Sequence, residues 1–598
     1  MCSVPSAPTT PTTPPDEKSP PAATTITITS PIIDTISVFP HCPWTSHPLS
    51  SLIAKAWHNQ LCVSYGDNNS DIAWEIMNAI QHGIDIEYTG VRLKNRYGGN
   101  HSTCFDGDAE AKITAIIADD VASGKKAGPF DTSPFDFMSI SPLGAVPKAG
   151  SSAVRVIHDL SYPRHCDSIN EHIVDLSYHN SRFDDAANHV MKVGAGALLV
   201  KLDVLSAYKQ IVVREVDWPL LGFKWNGKFY YDRTLPFGLR SSCRKWELFA
   251  TALHRFMMDD LNIPHVEHYV DDFLLIIPKH DGLSRPLPEE HRDNALALCE
   301  RLGMPMSPKK TEGPTTKLVF LGIELDTIAM EARLDDKRMA SLKGLLSIWG
   351  EKTHATLKEL QSLTGILSFA AQVVRTGRTY LRGIIDHAIA VSKSGRTSKY
   401  LAVKPLIPLS VRADIEWWTD FLADFNGRSL LLQVDWTMRE KMDLYTDACT
   451  IGYGARFGRH WFQGKWTPEH LAAAQRIKRE SMPYLEMLAL TLAALTWGHH
   501  WTGMKIVFRC DCMPVVQALD PKKRTSATPS MMHLIRVLTA SAGRHRYDFR
   551  VYHVSGITNV IADALSRFDP LDPSILSQLD PLPSPVHPLS LPPLPLRS

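Results

Sequence analysis

The stretch "HYVDDFLLII", residues 268–277, sets two carboxylates, Asp271 and Asp272, side by side in an apolar run rich in strand formers. A buried charge needs a partner or a metal, and two adjacent ones need it more. Asp203 closes a second apolar run in "ALLVKLDVLSAYKQIVV", 271 − 203 = 68 residues earlier, so only the fold can join the two. Carboxylates at strand ends on one sheet gather oxygen ligands for Mg²⁺. Two such ions about 4 Å apart can activate a hydroxyl and stabilise a leaving pyrophosphate in an in-line displacement. Without metal the acids repel and one tends to hold a proton. Taken alone, the acidic pair also fits a polar hairpin tip, because Asp suits turns.

A second set of acids lies toward the C-terminus. Asp447 sits in "LYTDACTIGYGARF", Asp511 follows "KIVFRC", and Asp563 opens the helical pattern "NVIADALSR". Glu486 is the most informative, because it interrupts the apolar helix "PYLEMLALTLAALTW". A lone charge there is costly unless it is paired or holds a metal.

The elements that must position these acids follow from periodicity. Residues 46–125 read as a helical region, with "DIAWEIMNAI" and "DAEAKITAIIADDVASG". Residues 126–335 alternate short strands ("GAVPK", "VRVIHDL", "GALLVKLDV", "KQIVVRE", "LVFLGIEL") with helices such as "RKWELFATALHRFMMDDL". Residues 336–435 return to helices, where Trp417 and Trp418 are expected in a core, and 436–568 alternate strand and helix again. Residues 1–45 and 569–598 are rich in Pro, Ser and Thr or in Pro alone, and are expected to be disordered.

Composition narrows the class. With 598 residues, 44% hydrophobic and 21% charged, the chain has room for several cores. The formal charge of +1 means that any nucleic-acid surface must be a local patch. Ten cysteines without a CxxC pair suggest neither a zinc ribbon nor a disulfide framework; Cys510 and Cys512 merely flank Asp511. No secretory signal and no span of about 20 apolar residues is recognised. An intracellular, non-secreted, non-membrane protein of the cytoplasm or nucleus is expected.

Ordered motifs then carry a resemblance. "YVDDF" resembles the active-site box of reverse transcriptases, and "VKLDVLSAYKQI" the box with their other catalytic aspartate. "GAVPKAGSSAVRVIHDLSYP", "RTLPFGLRSSC", "MPMSPKKTEG" and "LVFLGIEL" fall where the family has fingers, template-contacting, lysine-bearing and primer-grip segments. "RSSC" departs from the commoner ending in Asn-Ala-Pro. "TDA", "LEMLAL", "CDCMPVV" and "HVSGITNVIADALSR" resemble, in order, the four acidic motifs of a retroelement ribonuclease H. "AGPF", "LTGILSFAAQVV", "IEWWTDFL" and the last motif look most like the DIRS, or tyrosine-recombinase, retrotransposons, with gypsy-type elements second. No aspartic-protease box or integrase zinc motif is recognised, which weighs toward the DIRS reading.

The resemblance implies an α+β multidomain chain: a right-hand polymerase of fingers, palm and helical thumb/connection, followed by an α/β ribonuclease H-like domain. It implies metal-binding catalytic roles for Asp203, Asp271 and Asp272, and for Asp447, Glu486, Asp511 and Asp563. Lys148 and Arg155 would hold a triphosphate, Arg155 bidentately. Tyr208 would reject a 2′-hydroxyl, Phe237 and Gly238 would approach substrate, and Lys310, or else Lys309, would face the leaving pyrophosphate. His553 would aid proton transfer or serve the structure. The implied cofactor is Mg²⁺, two per site, with Mn²⁺ as substitute. The implied partners are an RNA template, a DNA primer, the RNA/DNA hybrid, deoxynucleoside triphosphates and a recombinase encoded separately. The rival expectation is a host-retained, catalytically inactive nucleic-acid-binding or adaptor protein.

Overall fold

The computed structural model describes residues 44–65, 70–92, 98–148, 152–164, 167–174, 181–279, 287–393, 405–425, 428–430, 436, 443–477, 481–520 and 529–587. The expected disordered ends fall at 1–43 and 588–598 outside the described residues. Among the described residues, no helix is long and apolar enough to cross a membrane.

The architecture is α+β, built from several separate sheets. The first site rests on a four-stranded antiparallel sheet ordered His265–Tyr269, Asp272–Ile277, Leu198–Asp203, Glu312–Thr315. Its two central strands are apolar on both faces, because helices cover both. Phe183, Ala186 and Val190 of helix Phe183–Val193 share a core with Leu199, Leu274 and Ile276. Helix Ser242–Arg255 buries Trp246, Phe249 and Leu253, and a short π turn, Phe256–Asp260, continues it. Beside this sheet, strands Leu143–Pro147 and Val154–His158 form a hairpin. The strands Lys126–Phe130, Lys228–Asp232 and Gly222–Trp225 form a third sheet.

Helices Asp336–Glu351, Leu357–Ala370, Arg382–Lys393 and Leu409–Phe425 form the next layer. Their core is continuous with the apolar side of the first sheet. Trp418 is wholly buried there. Trp417 is stacked on Tyr380 with ring centroids 3.6 Å apart.

The C-terminal sheet has five strands, ordered His460–Lys465, Gly452–Phe457, Leu444–Ala448, Lys505–Cys510, Asp548–His553. The first three are antiparallel and the last two run parallel to Leu444–Ala448. Helix Ser481–Trp497 is apolar on nearly every side, because it is buried between this sheet and helix Pro529–His545. Residues 569–587, expected in a disordered tail, instead run along this sheet. The Asp580 and Ser584 amides donate to the Arg459 and Trp461 carbonyls, and Leu579 is buried. Their polar backbone is satisfied by the edge strand, which composition alone does not reveal.

Two regions read as single strands differ. "KQIVVRE" is a short 3₁₀ turn, Ala207–Gln210, followed by isolated bridges of Val212 with Thr234 and of Val213 with Ile84. "LVFLGIEL" is a hairpin, Lys317–Phe320 with Ile323–Asp326, turned by Leu321 and Gly322 at φ +48° and +81°. Two successive left-handed residues make the turn whose twist suits a tight hairpin.

Candidate active sites

Asp203 and Asp272 are directly paired across neighbouring strands, and Tyr269 pairs with Asp272 to close the hairpin, leaving Val270 and Asp271 as a two-residue turn. Val270 has φ +56°, a costly conformation for a β-branched residue. The turn is pinned, because the Trp246 indole donates to the Val270 carbonyl at 2.7 Å and the Val204 amide donates to the Asp271 carbonyl at 2.9 Å. Three carboxylates are thereby gathered at one end of the sheet.

Their electrostatics follow from that crowding. Burial, then the charges of Asp271 and Asp203, push the Asp272 carboxyl up to about 6. Burial also raises Asp271, with Asp203 adding to it. The 3₁₀ turn Pro308–Lys310 carries Lys310 to Asp203, with Nζ donating to Oδ2 at 2.6 Å. That hydrogen bond raises the Lys310 ammonium, with the nearby acids reinforcing it. Lys309 does not line the site; Lys310 does.

A cavity of about 350 Å³ opens on Asp203 and Asp271, lined also by Lys148, Arg155, Phe237 and Lys310 among others; Asp272 does not line it. The Arg155 guanidinium lies over the Phe237 ring, 4.9 Å from its centroid. Tyr208 is half-buried behind Phe237, ring centroids 5.0 Å apart, and does not itself line the cavity. Gly238 has φ +113°, and a β-carbon there would collide with the His158 carbonyl. Its close approach is therefore to the neighbouring strand end, where the resemblance suggests substrate.

The inner wall holds a polar network that motif reading did not single out. Lys126 pairs with Asp232, His158 Nδ1 lies 2.8 Å from Asp232 Oδ2, and Lys209 donates to both Asp120 oxygens at 2.6 and 2.7 Å. Burial alone would raise Asp232, but Lys126 and His158 outweigh it and hold the carboxyl at about 2. These residues come from four distant segments, so no local pattern marks them.

The second site is assembled on the C-terminal sheet. Strands Leu444–Ala448 and Lys505–Cys510 are parallel with Tyr445 opposite Arg509, which brings Asp447 and Asp511 to the same end. Glu486 comes from the buried helix beneath, and Asp563 from helix Val560–Arg567, which crosses above. Gly454 permits that crossing, since a β-carbon there would strike Leu565 and the backbone of helix Val560–Arg567. The motif around Asp563 then explains itself. Asn559 donates to the Thr446 carbonyl at 3.0 Å, Ser566 Oγ donates to Asp447 Oδ2 at 2.5 Å, and Arg567 Nε donates to Asp563 Oδ1 at 2.8 Å.

Burial, more than the charges of Asp511 and Asp563, pushes Asp447 up to about 6. Burial followed by Asp447 and Asp511 raises Glu486 well above the carboxylate range. Glu486 Oε2 is buried and has no hydrogen-bond partner. His553 is exposed, its Nε2 3.1 Å from the Asp511 carbonyl oxygen.

Residues 146–325 match the family model described as reverse transcriptase (RNA-dependent DNA polymerase). The matched segment holds Lys148, Arg155, the first three acids and Lys310. The chain is 23% identical over 401 residues to polyprotein P3 of Commelina yellow mottle virus, covering 63% of this chain and 18% of that protein. It is 22% identical over 497 residues to the retrovirus-related Pol polyprotein from transposon opus of Drosophila melanogaster, covering 79% and 43%. The corresponding polyprotein from transposon gypsy is 23% identical over 386 residues, covering 63% and 33%. The chain therefore spans less than half the length of these relatives. A foamy viral protease-reverse transcriptase solved with RNA/DNA hybrid aligns at TM-score 0.44 and 14% identity, covering 95% of this chain and 67% of that one, too low to equate the two folds.

Proposed function

We propose that this chain is a retrotransposon RNA-directed DNA polymerase that also cleaves the RNA strand of an RNA/DNA hybrid. The observation that carries the reading is that Asp203, paired in register with Asp272, and Asp271 on the turn line a cavity together with Lys148, Arg155 and Lys310. Hard carboxylate oxygens suit Mg²⁺, with Mn²⁺ as substitute. The buried, unpartnered Glu486 Oε2 is the kind of atom that a cation satisfies. Asp203, Asp271 and Asp272 would hold ions in the first site, and Asp447, Glu486, Asp511 and Asp563 in the second. Such ions, when bound, polarise an attacking oxygen and stabilise a leaving one.

The chain's own residues then do the positioning. Arg155, braced on Phe237, offers a planar fork to a phosphate. Lys148 and Lys310 supply point charges on either side. Phe237, backed by Tyr208, forms the wall against which a sugar would lie. In the second site, Ser566 and Arg567 orient Asp447 and Asp563, while His553 stands exposed at the rim. Template RNA, primer, hybrid and deoxynucleoside triphosphates would be the partners, held largely through phosphates. A separately encoded recombinase fits the DIRS assignment, which we retain on its motifs beside the gypsy-type relatives. The same reading places the protein in the cytoplasm or nucleus.

A catalytically inactive, host-retained binder is the second reading. All seven acids are present together with the residues that hold them (Trp246, Asn559, Ser566 and Arg567), which speaks against it. Primer extension on an RNA template and cleavage of a hybrid, both in Mg²⁺, test the proposal. Asp271→Asn should abolish extension and keep cleavage, and Asp511→Asn should do the reverse. Loss of both activities from either folded variant would refute two separate sites.

A further inference from the structure

Cys510 belongs to none of the roles above. It is the last residue of strand Lys505–Cys510, wholly buried on the face shared with Ile506 and Phe508. A buried cysteine usually serves as a small apolar filler. Here one ligand atom each from Cys510, Glu486 and Asp511 lie within 4.8 Å of one another. The Cys510 sulfur accepts a bond from the Cys512 amide at 3.4 Å. Glu486, 6% exposed, is a member of that group and carries a buried oxygen, Oε2, with no hydrogen-bond partner. Asp447 and Asp563 are engaged by Ser566 and Arg567, so these three are the donors left on offer.

We propose that Glu486, Cys510 and Asp511 form a mixed thiolate–carboxylate site for a thiophilic divalent cation of the Zn²⁺ or Cd²⁺ class. The proposal rests on the second-site reading only in its consequence for cleavage, not in its chemistry. One sulfur with two carboxylate oxygens favours borderline and soft ions over Mg²⁺. Donors to one tetrahedral ion stand about 3.3 to 3.8 Å apart, so side-chain rotation of about 1 Å closes the group. Binding exchanges acid protons for the metal: the Cys510 S–H bond breaks as a sulfur–metal bond forms, the proton held by the Glu486 carboxyl leaves as its oxygen binds, and the released protons go to solvent. A soft ion seated there takes Glu486 and Asp511 away from Mg²⁺ and stops hybrid cleavage, while the first site, which has no sulfur among its cavity-lining residues, continues to extend primers.

The experiment is a Cd²⁺ titration of the metal-free full-length protein, read by the ultraviolet sulfur-to-cadmium charge-transfer band. Wild type should show one equivalent of tight band that Cys510→Ser and Glu486→Gln lose or weaken at least about tenfold, a change of about 1.4 kcal/mol. Cys512→Ser should keep it. Glu486→Gln retains every thiol, so it decides the matter even where Cys510→Ser does not fold. Equal bands in wild type and Glu486→Gln would overturn the site, whether or not the protein cleaves hybrid. A wild type that shows the band but cleaves nothing in Mg²⁺ would support the site and reject the nuclease reading.

Discussion

Phe237 stands between Tyr208 and the cavity, with the Arg155 guanidinium on its face. Tyr208, tilted 46° to the Phe237 ring, and Arg155 both pack on Phe237, so the proposed sugar discrimination would belong to the group rather than to Tyr208 alone. Tyr208→Ala removes the backing and Phe237→Ala removes the wall. Both should raise ribonucleotide use relative to deoxynucleotide use by about tenfold or more, a difference of about 1.4 kcal/mol in the transition state. Phe237→Ala should also raise KM for the triphosphate, because Arg155 loses its platform. Steady-state incorporation of matched ribo- and deoxynucleotides measures both effects. An unchanged ratio in both variants would remove this wall from sugar selection.

At the scale of elements, the acidic turn is held in a shape its residues do not favour. Val270 at φ +56° costs about 1–3 kcal/mol, which the Trp246 bond and the paired strands sustain. Val270→Gly relieves that strain and frees the turn. Thermal denaturation should show an unchanged or higher Tm, while primer extension falls because Asp271 is less firmly placed. A lower Tm would mean that the valine side chain contributes more by packing than its backbone costs. The turn itself was legible from the sequence, since an acidic pair breaks an otherwise continuous apolar strand. So were helices such as Ser481–Trp497 and Leu357–Ala370, whose apolar patterns allow few alternatives. The Leu321–Gly322 turn was hidden, because leucine at positive φ gives no turn signal. The roles of Ser566 and Arg567 became visible only once helix Val560–Arg567 lay across the sheet. The Lys126–Asp232–His158 cluster stayed illegible, because its members share no local spacing and meet only through tertiary packing.

Over the whole molecule, the two sites are joined through the helical layer. Tyr380 Oη donates to the Arg536 carbonyl at 3.1 Å, Arg536 pairs with the buried Asp414, and Arg375 reaches Asp548 at 3.1 Å and Asp184 at 3.5 Å. Asp414 is 1% exposed, and burial pushes its carboxyl up to about 6 even with Arg536 pulling it down. Arg536→Met leaves that carboxylate buried without its cation. The loss should be about 3 kcal/mol, near the lower end for a broken buried pair because Arg536 itself is partly exposed. Its pH dependence has a definite sign. Without Arg536 the folded-state pKa of Asp414 rises further above the unfolded value of about 3.9. The penalty for the charged form is then complete above the folded pKa and is relieved as pH falls toward the unfolded one. Arg536→Met should therefore lose more Tm at about pH 8 than at about pH 5.5, and Asp414→Asn in the same background should cancel most of the difference. A destabilisation equal at both pH values would mean that Asp414 is solvated at this junction, and that apolar packing and the Tyr380 bond to the residue-536 carbonyl hold the helical layer to the C-terminal part instead.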